Sequence, residues 1–300
     1  MQKICFFLLL SLFFHSHFLS QDKIVYHLFK NERQAIKKLK KLYPKNYLLK
    51  IESNKGNMIL LLFNETPLHR DNFIKLIGKN FYDSLLFHRV INNFMIQGGD
   101  PESKRAIKGQ LLGDGDVGYT IPAEFNPKLF HRKGMLCAAR EGDDINPQKA
   151  SSGCQFYIVQ GKIHTDETLR KTEQRVNKDI IQRLTDEYLS KPENKELKLR
   201  YNYYTENKFK DSLNSIKKKI DDAILPEFDQ TEHYRFSELQ KQVYKTIGGT
   251  PHLDNNYTVF GEVLYGSEVI DNIAKTETDS NDRPIEDIKM KIKIIQALKK

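Results

Sequence analysis

The segment FHRVINNFMIQGGD, residues 87–100, holds a cation in an apolar setting. Read as a strand, it places Arg89 on the same face as Phe87 and Ile91, because alternate residues of a strand point the same way. A guanidinium on an apolar face is costly unless it is used, for example as a fixed hydrogen-bond donor to a reacting group. The alternative is an edge strand whose arginine reaches solvent along its aliphatic stem. This segment alone leaves both interpretations open.

Other residues carry the side-chain types of a hydrolase or a metal site. Ser84, His88 and Asp100 have the types of a catalytic triad, but no GxSxG nucleophile elbow accompanies them. No HExxH or paired-cysteine spacing occurs, so surface histidines are favoured over metal ligands at His131, His164, His233 and His252. The glycines do not open a helix after a parallel strand, which favours tight turns over a phosphate cradle at Gly109, Gly113, Gly115 and Gly118. We expect neither a metal nor an organic cofactor.

The elements that must position Arg89 begin with a helix for which Asn31 is the expected N-cap and which stops near Pro44. The runs YLLKIES and NMILLLF, separated by the turn residues 54–56, then predict an antiparallel hairpin. Pro67 opens an amphipathic helix, PLHRDNFIKLIGK. Its apolar residues are expected to cover a sheet: Leu68, Phe73, Leu76 and Ile77.

Short apolar segments divided by Gly, Asn and Asp fill most of the remaining chain, which is typical of an all-β barrel or sandwich. Residues 164–246 interrupt them with a long, charged stretch that has no glycine. Within this stretch Ile216, Ile220 and Ile224 recur at a spacing of four, which predicts helices. We therefore expect a pair or trio of helices to be inserted into a β domain.

The N-terminus has the pattern of a secretory signal peptide. Lys3 precedes an almost wholly apolar run at residues 4–14, and the expected cleavage point lies just before Gln21. An uncleaved anchor is the alternative, although the run is short for a membrane span. An oxidising compartment would permit a disulfide between Cys137 and Cys154, but unpaired, buried cysteines are favoured.

The formal net charge of +9 raises the possibility of nucleic-acid binding. The two basic runs, residues 37–45 and 217–219, are not interleaved with aromatic residues as a stacking platform requires. A solvated helix face is therefore the favoured interpretation, and no nucleic-acid partner is expected.

Several motifs together resemble the cyclophilins. FHRVINNFMIQGGD is similar to the signature of that family, and GMLCAAR, SSGCQFYIVQG and PHLDNNYTVFGEV follow in the family's order. The resemblance implies a mainly β fold, an eight-stranded antiparallel β-barrel capped by two helices. The expected divisions are a signal peptide (1–20), an N-terminal extension (21–46), the barrel (47–163 and 247–300) and the helical insertion (164–246).

The resemblance also implies site residues. Arg89 matches the family's essential arginine, and the substrate-binding positions correspond to Phe94, Met95, Gln97, Ala139, Arg140, Gln155, Tyr157, His252, Leu253 and Tyr257. Arg140 stands where many eukaryotic members have asparagine, and Tyr157 where phenylalanine is common. His252 and Tyr257 replace a tryptophan and a histidine, which is similar to bacterial members.

The function that follows is a peptidyl-prolyl cis-trans isomerase that assists the folding of exported proteins, either periplasmic or envelope-associated. Its expected partners are proline-containing segments of folding proteins, together with a possible protein partner of the insertion. The alternative is a non-catalytic module that grips proline loops, in which the insertion acts as a chaperone arm or docks a partner. The presence of Arg89 favours the enzyme, because grip alone needs no donor aimed at a twisted amide.

Overall fold

The computed structural model describes residues 29–298. The predicted signal peptide therefore lies outside the described residues. The chain divides into two compact units: one contains the residues up to His164 and those from Gln242 onward, and the other is Thr165–Lys241.

The first unit contains an eight-stranded antiparallel sheet. Its strands are β1 (Leu48–Ser53), β2 (Gly56–Leu62), β3 (Phe87–Ile91), β4 (Met95–Gly98), β6 (Met135–Ala138), β8 (Phe156–Val159), β9 (Val259–Tyr265) and β10 (Met290–Gln296). They lie in the order β10-β1-β2-β9-β6-β8-β4-β3. The short strands β5 (Thr120–Ile121) and β7 (Ser151–Ser152) pair with each other.

Hydrogen bonds join the two ends of this sheet. Ser84 N–H donates to the Met290 carbonyl at 2.9 Å, and Met290 N–H donates to the Leu85 carbonyl at 2.8 Å. Phe87 N–H donates to the Ile288 carbonyl at 2.9 Å. These bonds satisfy backbone groups that an open sheet would leave at its edges. The sheet closes as the predicted barrel.

Three helices pack against the barrel strands: α1 (Glu32–Leu42), α2 (Pro67–Gly78) and α8 (Ser267–Ala274). The predicted N-cap of α1 is confirmed, because the Asn31 side chain accepts the Gln34 N–H at 3.0 Å. Helix α2 buries Phe73, Leu76 and Ile77 in the barrel core. The prediction for Leu68 is wrong: it is 50% exposed, and the inward position of its turn is occupied by His69.

The strand that carries the predicted arginine contains a β-bulge. Phe87 lies opposite Gly98 and Arg89 lies opposite Gln97, so His88 is an extra residue between them. The bulge reverses the alternation of side chains. Phe87 therefore packs in the barrel interior, whereas Arg89 lines a pocket on the outer side. The prediction that Phe87 and Arg89 share one face is wrong for this reason.

The second unit is helical. Its helices are α3 (Asp166–Val176), α4 (Lys178–Ser190), α5 (Lys195–Glu206) and α6 (Lys210–Gln230), and the boundary between the units falls within α7 (Glu238–Thr246). Ile216, Ile220 and Ile224 form its core with Leu184 and Phe228. The helical nature of the segment is confirmed, but it has four helices in residues 165–230 rather than two or three. Within residues 29–298, no helix has the length and apolar character needed to cross a membrane.

Candidate functional site

A pocket of about 150 Å³ lies on the outer side of the barrel. Its lining includes nine of the eleven predicted site residues: Arg89, Phe94, Met95, Gln97, Ala139, Arg140, Tyr157, Leu253 and Tyr257. The other two contact lining residues, since Gln155 bonds to Gln97 and His252 stacks on Phe94. Four separated segments of sequence therefore meet at one place.

The floor of the pocket is apolar and comes from adjacent strands. Met95 on β4 and Tyr157 on β8 are 2% and 4% exposed, and both belong to one hydrophobic cluster with Leu253. Leu253 ends a short 3₁₀ turn, Pro251–Leu253. The ring of His252 stacks on Phe94 with 5.6 Å between centroids, which fixes the rim. Such an apolar floor suits a small saturated ring.

The polar edge of the pocket is formed by Arg89. Its Nη1 donates to Gln97 Oε1 at 3.4 Å, and its Nε lies 3.5 Å from Asp282 Oδ2. Asp282 is itself held next to the strand, because its carbonyl accepts the Val90 N–H at 2.8 Å. The Arg89 side chain is 43% exposed, so its remaining donors can reach a bound ligand. Sequence reasoning missed Asp282, which no local pattern connects to a residue so distant in the chain.

The side-chain amide of Gln97, beside Arg89, has a fixed orientation. Gln97 Nε2 donates to Gln155 Oε1 at 3.0 Å, and Gln155 Nε2 donates to the carbonyls of Gly113 and Gly115 at 2.6 and 2.8 Å. Gly113 has φ +125°, which a residue with a side chain rarely adopts. The glycine-rich loop thus brings backbone carbonyls against the site and orients both glutamine amides.

Arg140 braces one wall of the pocket. Its Nε donates to the Asn256 carbonyl at 2.7 Å, and its guanidinium lies 4.5 Å from the Tyr257 ring centroid. Its Nη2 is 2.7 Å from Asp143 Oδ1. The side chain therefore fixes Tyr257 by a cation–π contact.

Comparison with known proteins agrees with this geometry. A family model described as "Cyclophilin type peptidyl-prolyl cis-trans isomerase/CLD" matches residues 48–183 and 231–294, more than half of the chain. The chain belongs to the cyclophilin family. Peptidyl-prolyl cis-trans isomerisation is accordingly its activity, and proline-containing peptides are what it binds.

Individual relatives of this cyclophilin share less than a third of their aligned residues with it. A Staphylococcus aureus (strain COL) protein, provisionally named peptidyl-prolyl cis-trans isomerase, is 29% identical over 79% of this chain and 86% of its own. One from Staphylococcus haemolyticus, with the same provisional name, is 27% identical over 79% and 85%. The crystal structure of a Cryptosporidium parvum cyclophilin-type isomerase covers 84% of this chain and 99% of its own, with 19% identity and a TM-score of 0.49.

The histidines of this cyclophilin are more buried than the sequence indicated. His131 and His164 are 1% and 8% exposed and hydrogen-bonded, so the surface interpretation is wrong for both. Across residues 29–298, no group of three or more His, Cys, Asp or Glu residues could hold a metal ion.

The triad considered from the sequence does not form. His88 is buried with no hydrogen-bond partner at either ring nitrogen, so it bonds to neither Ser84 nor Asp100. A different trio does align: His69 Nδ1 is 2.7 Å from Glu124 Oε2, and His69 Nε2 is 2.9 Å from Ser151 Oγ.

This trio has a structural role at the start of α2. Ser151 is 1% exposed and cannot receive a substrate, and burial lowers the pKa of His69. The Glu124 carboxylate accepts the N–H groups of Leu68 and His69 at 3.1 and 3.0 Å. It thereby caps a helix whose N-cap residue, Thr66, makes no such bond.

Both described cysteines are free and buried, which confirms that Cys137 and Cys154 are unpaired. Burial raises the pKa of the Cys154 thiol to about 11 and that of Cys137 well above its ordinary value. A protonated thiol is a poor nucleophile. Burial and a raised pKa therefore argue against a nucleophilic role for either cysteine.

Proposed function

We propose that this cyclophilin isomerises prolyl bonds in exported proteins as they fold, and that Arg89 stabilises the twisted amide. The observation that carries the role of Arg89 is its position: a guanidinium at the edge of a pocket with an apolar floor, oriented by Gln97 and Asp282. Export is supported by the apolar run that follows Lys3 near the N-terminus.

Prolyl isomerisation needs a hydrogen-bond donor and a site that holds the peptide, but it breaks no covalent bond. Rotation about a prolyl bond passes through a twisted state without amide resonance, with a barrier of about 18–20 kcal/mol. In that state the proline nitrogen gains a lone pair, which a fixed donor can stabilise more than it stabilises either planar ground state. Arginine side chains do not lose their proton in proteins, so the role open to Arg89 is that of a hydrogen-bond donor and not of a general acid.

The other site residues divide the peptide into a held part and a free part. Met95, Tyr157 and Leu253 enclose the pyrrolidine ring, and the Gln97 amide, which Gln155 orients, holds the backbone on one side. The groups on the other side of the prolyl bond can then rotate.

The test replaces Arg89 in an isomerisation assay with a proline tetrapeptide and no coupling protease. Arg89→Ala should lower kcat/KM by about a hundredfold with an unchanged circular dichroism spectrum, as expected for losing a donor to the transition state. The matched control is Arg105→Ala, which removes an exposed guanidinium that is outside the pocket lining. Equal activity in the two variants would refute the role of Arg89.

Export has its own test. The full-length chain, expressed in a bacterium, should be recovered outside the cytoplasm with Gln21 as its first residue, as read by N-terminal sequencing. Recovery of an intact N-terminus in the cytoplasmic fraction would refute export and leave the isomerase role untouched.

We infer a second role for the unit Thr165–Lys241, which is to bind unfolded polypeptide. Leu199, Tyr203 and Phe209 are 62%, 55% and 48% exposed, and the last two rings lie 5.9 Å apart. We call these three residues the aromatic tip. Exposed apolar groups that cluster in this way commonly mark binding surfaces.

The charges beside the aromatic tip indicate the kind of segment it would take. Four exposed bases and three exposed acids lie within a few residues of the aromatic tip in the sequence. The bases are Lys198, Arg200, Lys208 and Lys210, and the acids are Glu196, Glu206 and Asp211. These charges nearly cancel, so an extended client segment would be held mainly through its apolar residues.

Serine substitutions test this role. Replacing Leu199, Tyr203 and Phe209 together should reduce the ability of the protein to suppress aggregation of a chemically unfolded substrate, while tetrapeptide turnover stays the same. Leu42→Ser with Leu68→Ser is the control, because those leucines are exposed to a similar degree on the barrel unit. An unchanged suppression by the triple variant would refute the tip as a binding surface.

A further inference from the structure

A chain of buried polar groups runs behind the proline pocket. The Tyr157 hydroxyl is 3.0 Å from His131 Nε2, and His131 Nδ1 is 2.9 Å from Asp254 Oδ1. The other oxygen of Asp254 accepts the Tyr244 hydroxyl at 2.7 Å. All four residues are less than 5% exposed. We call these four residues the buried relay.

One arrangement of protons satisfies every bond of the relay. The Asp254 carboxylate accepts from His131 Nδ1–H, from the His131 backbone N–H at 2.8 Å and from Tyr244. In this arrangement His131 Nε2 accepts the Tyr157 proton. Burial raises the pKa of the Tyr157 phenol well above its ordinary value, so the phenol keeps the proton that it donates.

The relay connects three separate parts of the barrel unit. Tyr157 lies in the pocket floor on β8, and Asp254 directly follows the pocket residue Leu253. Tyr244 lies in α7 and is not among the lining residues of the pocket. His131 is central, because its ring also meets Tyr257 edge-on at 6.5 Å between centroids and its carbonyl accepts the Thr250 N–H at 2.8 Å.

A buried charged network of this kind is a poor way to gain stability alone. Well-packed apolar residues of the same volume are often equally stabilising or better, whereas a fully bonded polar network fixes one geometry. The relay bonds hold the floor, Tyr157, against the loop that carries Leu253. They make no bond to Arg89 or Gln97 on the opposite edge.

We propose that His131, Asp254 and Tyr244 are positioning residues that set the shape of the proline pocket through Tyr157 and Leu253. The proposal rests on the proposed function, in which this pocket holds the proline ring. It makes a specific demand on Tyr244: a side chain that touches no substrate must control how tightly the substrate binds.

The experiment uses isosteric hydroxyl deletions and measures two quantities by nuclear magnetic resonance. The first is the affinity for a proline tetrapeptide, from titration shifts, and the second is the catalysed cis-trans exchange rate at saturating peptide. Tyr244→Phe should weaken peptide binding about fivefold, because Asp254 loses one of its charge-assisted bonds and the loop loosens. The exchange rate in the bound state should stay within about twofold, because the donor is untouched.

Tyr82→Phe is the matched control. Tyr82 is 1% exposed, and its hydroxyl donates to the Cys154 carbonyl at 3.1 Å, so this variant also deletes a buried hydroxyl and one bond. It has no bond to the relay and should leave the affinity unchanged. Equal weakening in both variants, or none in Tyr244→Phe, would overturn the proposal.

A double variant gives a second test of the relay. Tyr157→Phe removes the opposite end of the relay, and because both hydroxyls act through His131 and Asp254, their effects should not add. The affinity of Tyr157→Phe/Tyr244→Phe for the peptide should therefore be little lower than that of whichever single variant binds less tightly. Fully additive losses of binding free energy would overturn the proposal. Failure of the proposed function would be recognised separately, because the unmodified protein would then show no catalysed cis-trans exchange.

Discussion

Arg89 is an exposed cation whose value depends on its orientation. A flexible arginine in water has many conformations, and holding it in the direction that the proposed mechanism needs requires contacts elsewhere on its guanidinium. Gln97 contacts one end and Asp282 the other, at 3.4 and 3.5 Å. Because the pair is 43% exposed on both sides, it contributes direction more than stability.

Asp282→Asn should lower kcat/KM by about threefold to tenfold, a smaller loss than that of Arg89→Ala. Asparagine keeps the left-handed backbone that Asp282 adopts at φ +61°, so the loop should be retained. The measurement is tetrapeptide turnover at low and high salt, since the attraction is screened by salt.

Glu286→Gln is the control for this prediction. It removes an exposed carboxylate from the same loop, in a residue with no ion pair to Arg89. If both variants lose activity equally, the effect belongs to the charge of the loop and not to the orientation of Arg89.

At the scale of the element, the bulge in β3 decides what its side chains do. The extra residue, His88, is buried without a hydrogen-bond partner, which is the cost of directing Phe87 inward and Arg89 outward. Burial lowers the pKa of His88 to about 4, partly opposed by Asp100 and reinforced by Arg89 and Arg283.

The protein should therefore lose stability as the pH falls from about 6.5 toward 4. In that window the unfolded chain binds a proton at His88 that the folded chain does not, so acidification favours unfolding. The full effect is at most about 3 kcal/mol. Burial lowers the pKa of His69 and His164 as well, so they add to the slope with the same sign.

The measurement is urea unfolding of the unmodified protein and His88→Gln at several pH values. The variant should show a shallower decline between pH 6.5 and 4, whatever its stability at neutral pH. Parallel declines in the two proteins would contradict the assignment of this slope to His88.

At the scale of the whole molecule, the sequence of the helical unit is inserted into the sequence of the barrel unit. The ends of the barrel unit that flank the helical unit lie close together, because His164 N–H donates to the Tyr244 carbonyl at 3.0 Å. The helical unit has its own core of Leu184, Ile216, Ile220, Ile224 and Phe228. Each unit therefore has the packing that it needs locally.

Joining His164 to Gln242 through a short glycine-serine linker should give a barrel that retains tetrapeptide turnover within about twofold. Suppression of aggregation should be lost with the aromatic tip. A longer deletion, residues 164–246, also removes Tyr244 and its bond to Asp254, so it should bind the peptide more weakly. Equal peptide affinity in the two deletions would contradict a role for Tyr244 of α7 in peptide binding. Loss of turnover in the shorter deletion would show that residues 165–241 shape the pocket.

The sequence by itself determined the elements and the family. Asn31 capped its helix, the turn at residues 54–56 joined β1 to β2, and the spacing of Ile216, Ile220 and Ile224 formed a helical core, because capping, turns and periodicity are local properties. The ordered motifs also named the pocket residues that the structure brings together.

Only the tertiary structure decided how these residues are held. The bulge at His88 depends on pairing with β4, the approach of Asp282 to Arg89 depends on chain closure of the barrel, and the relay from Tyr157 to Tyr244 joins residues from three elements. Such contacts follow from packing between distant segments, which no local pattern encodes. The sequence therefore identified the arginine and its pocket, whereas the orientation of that arginine and the support of the pocket became visible only in the folded chain.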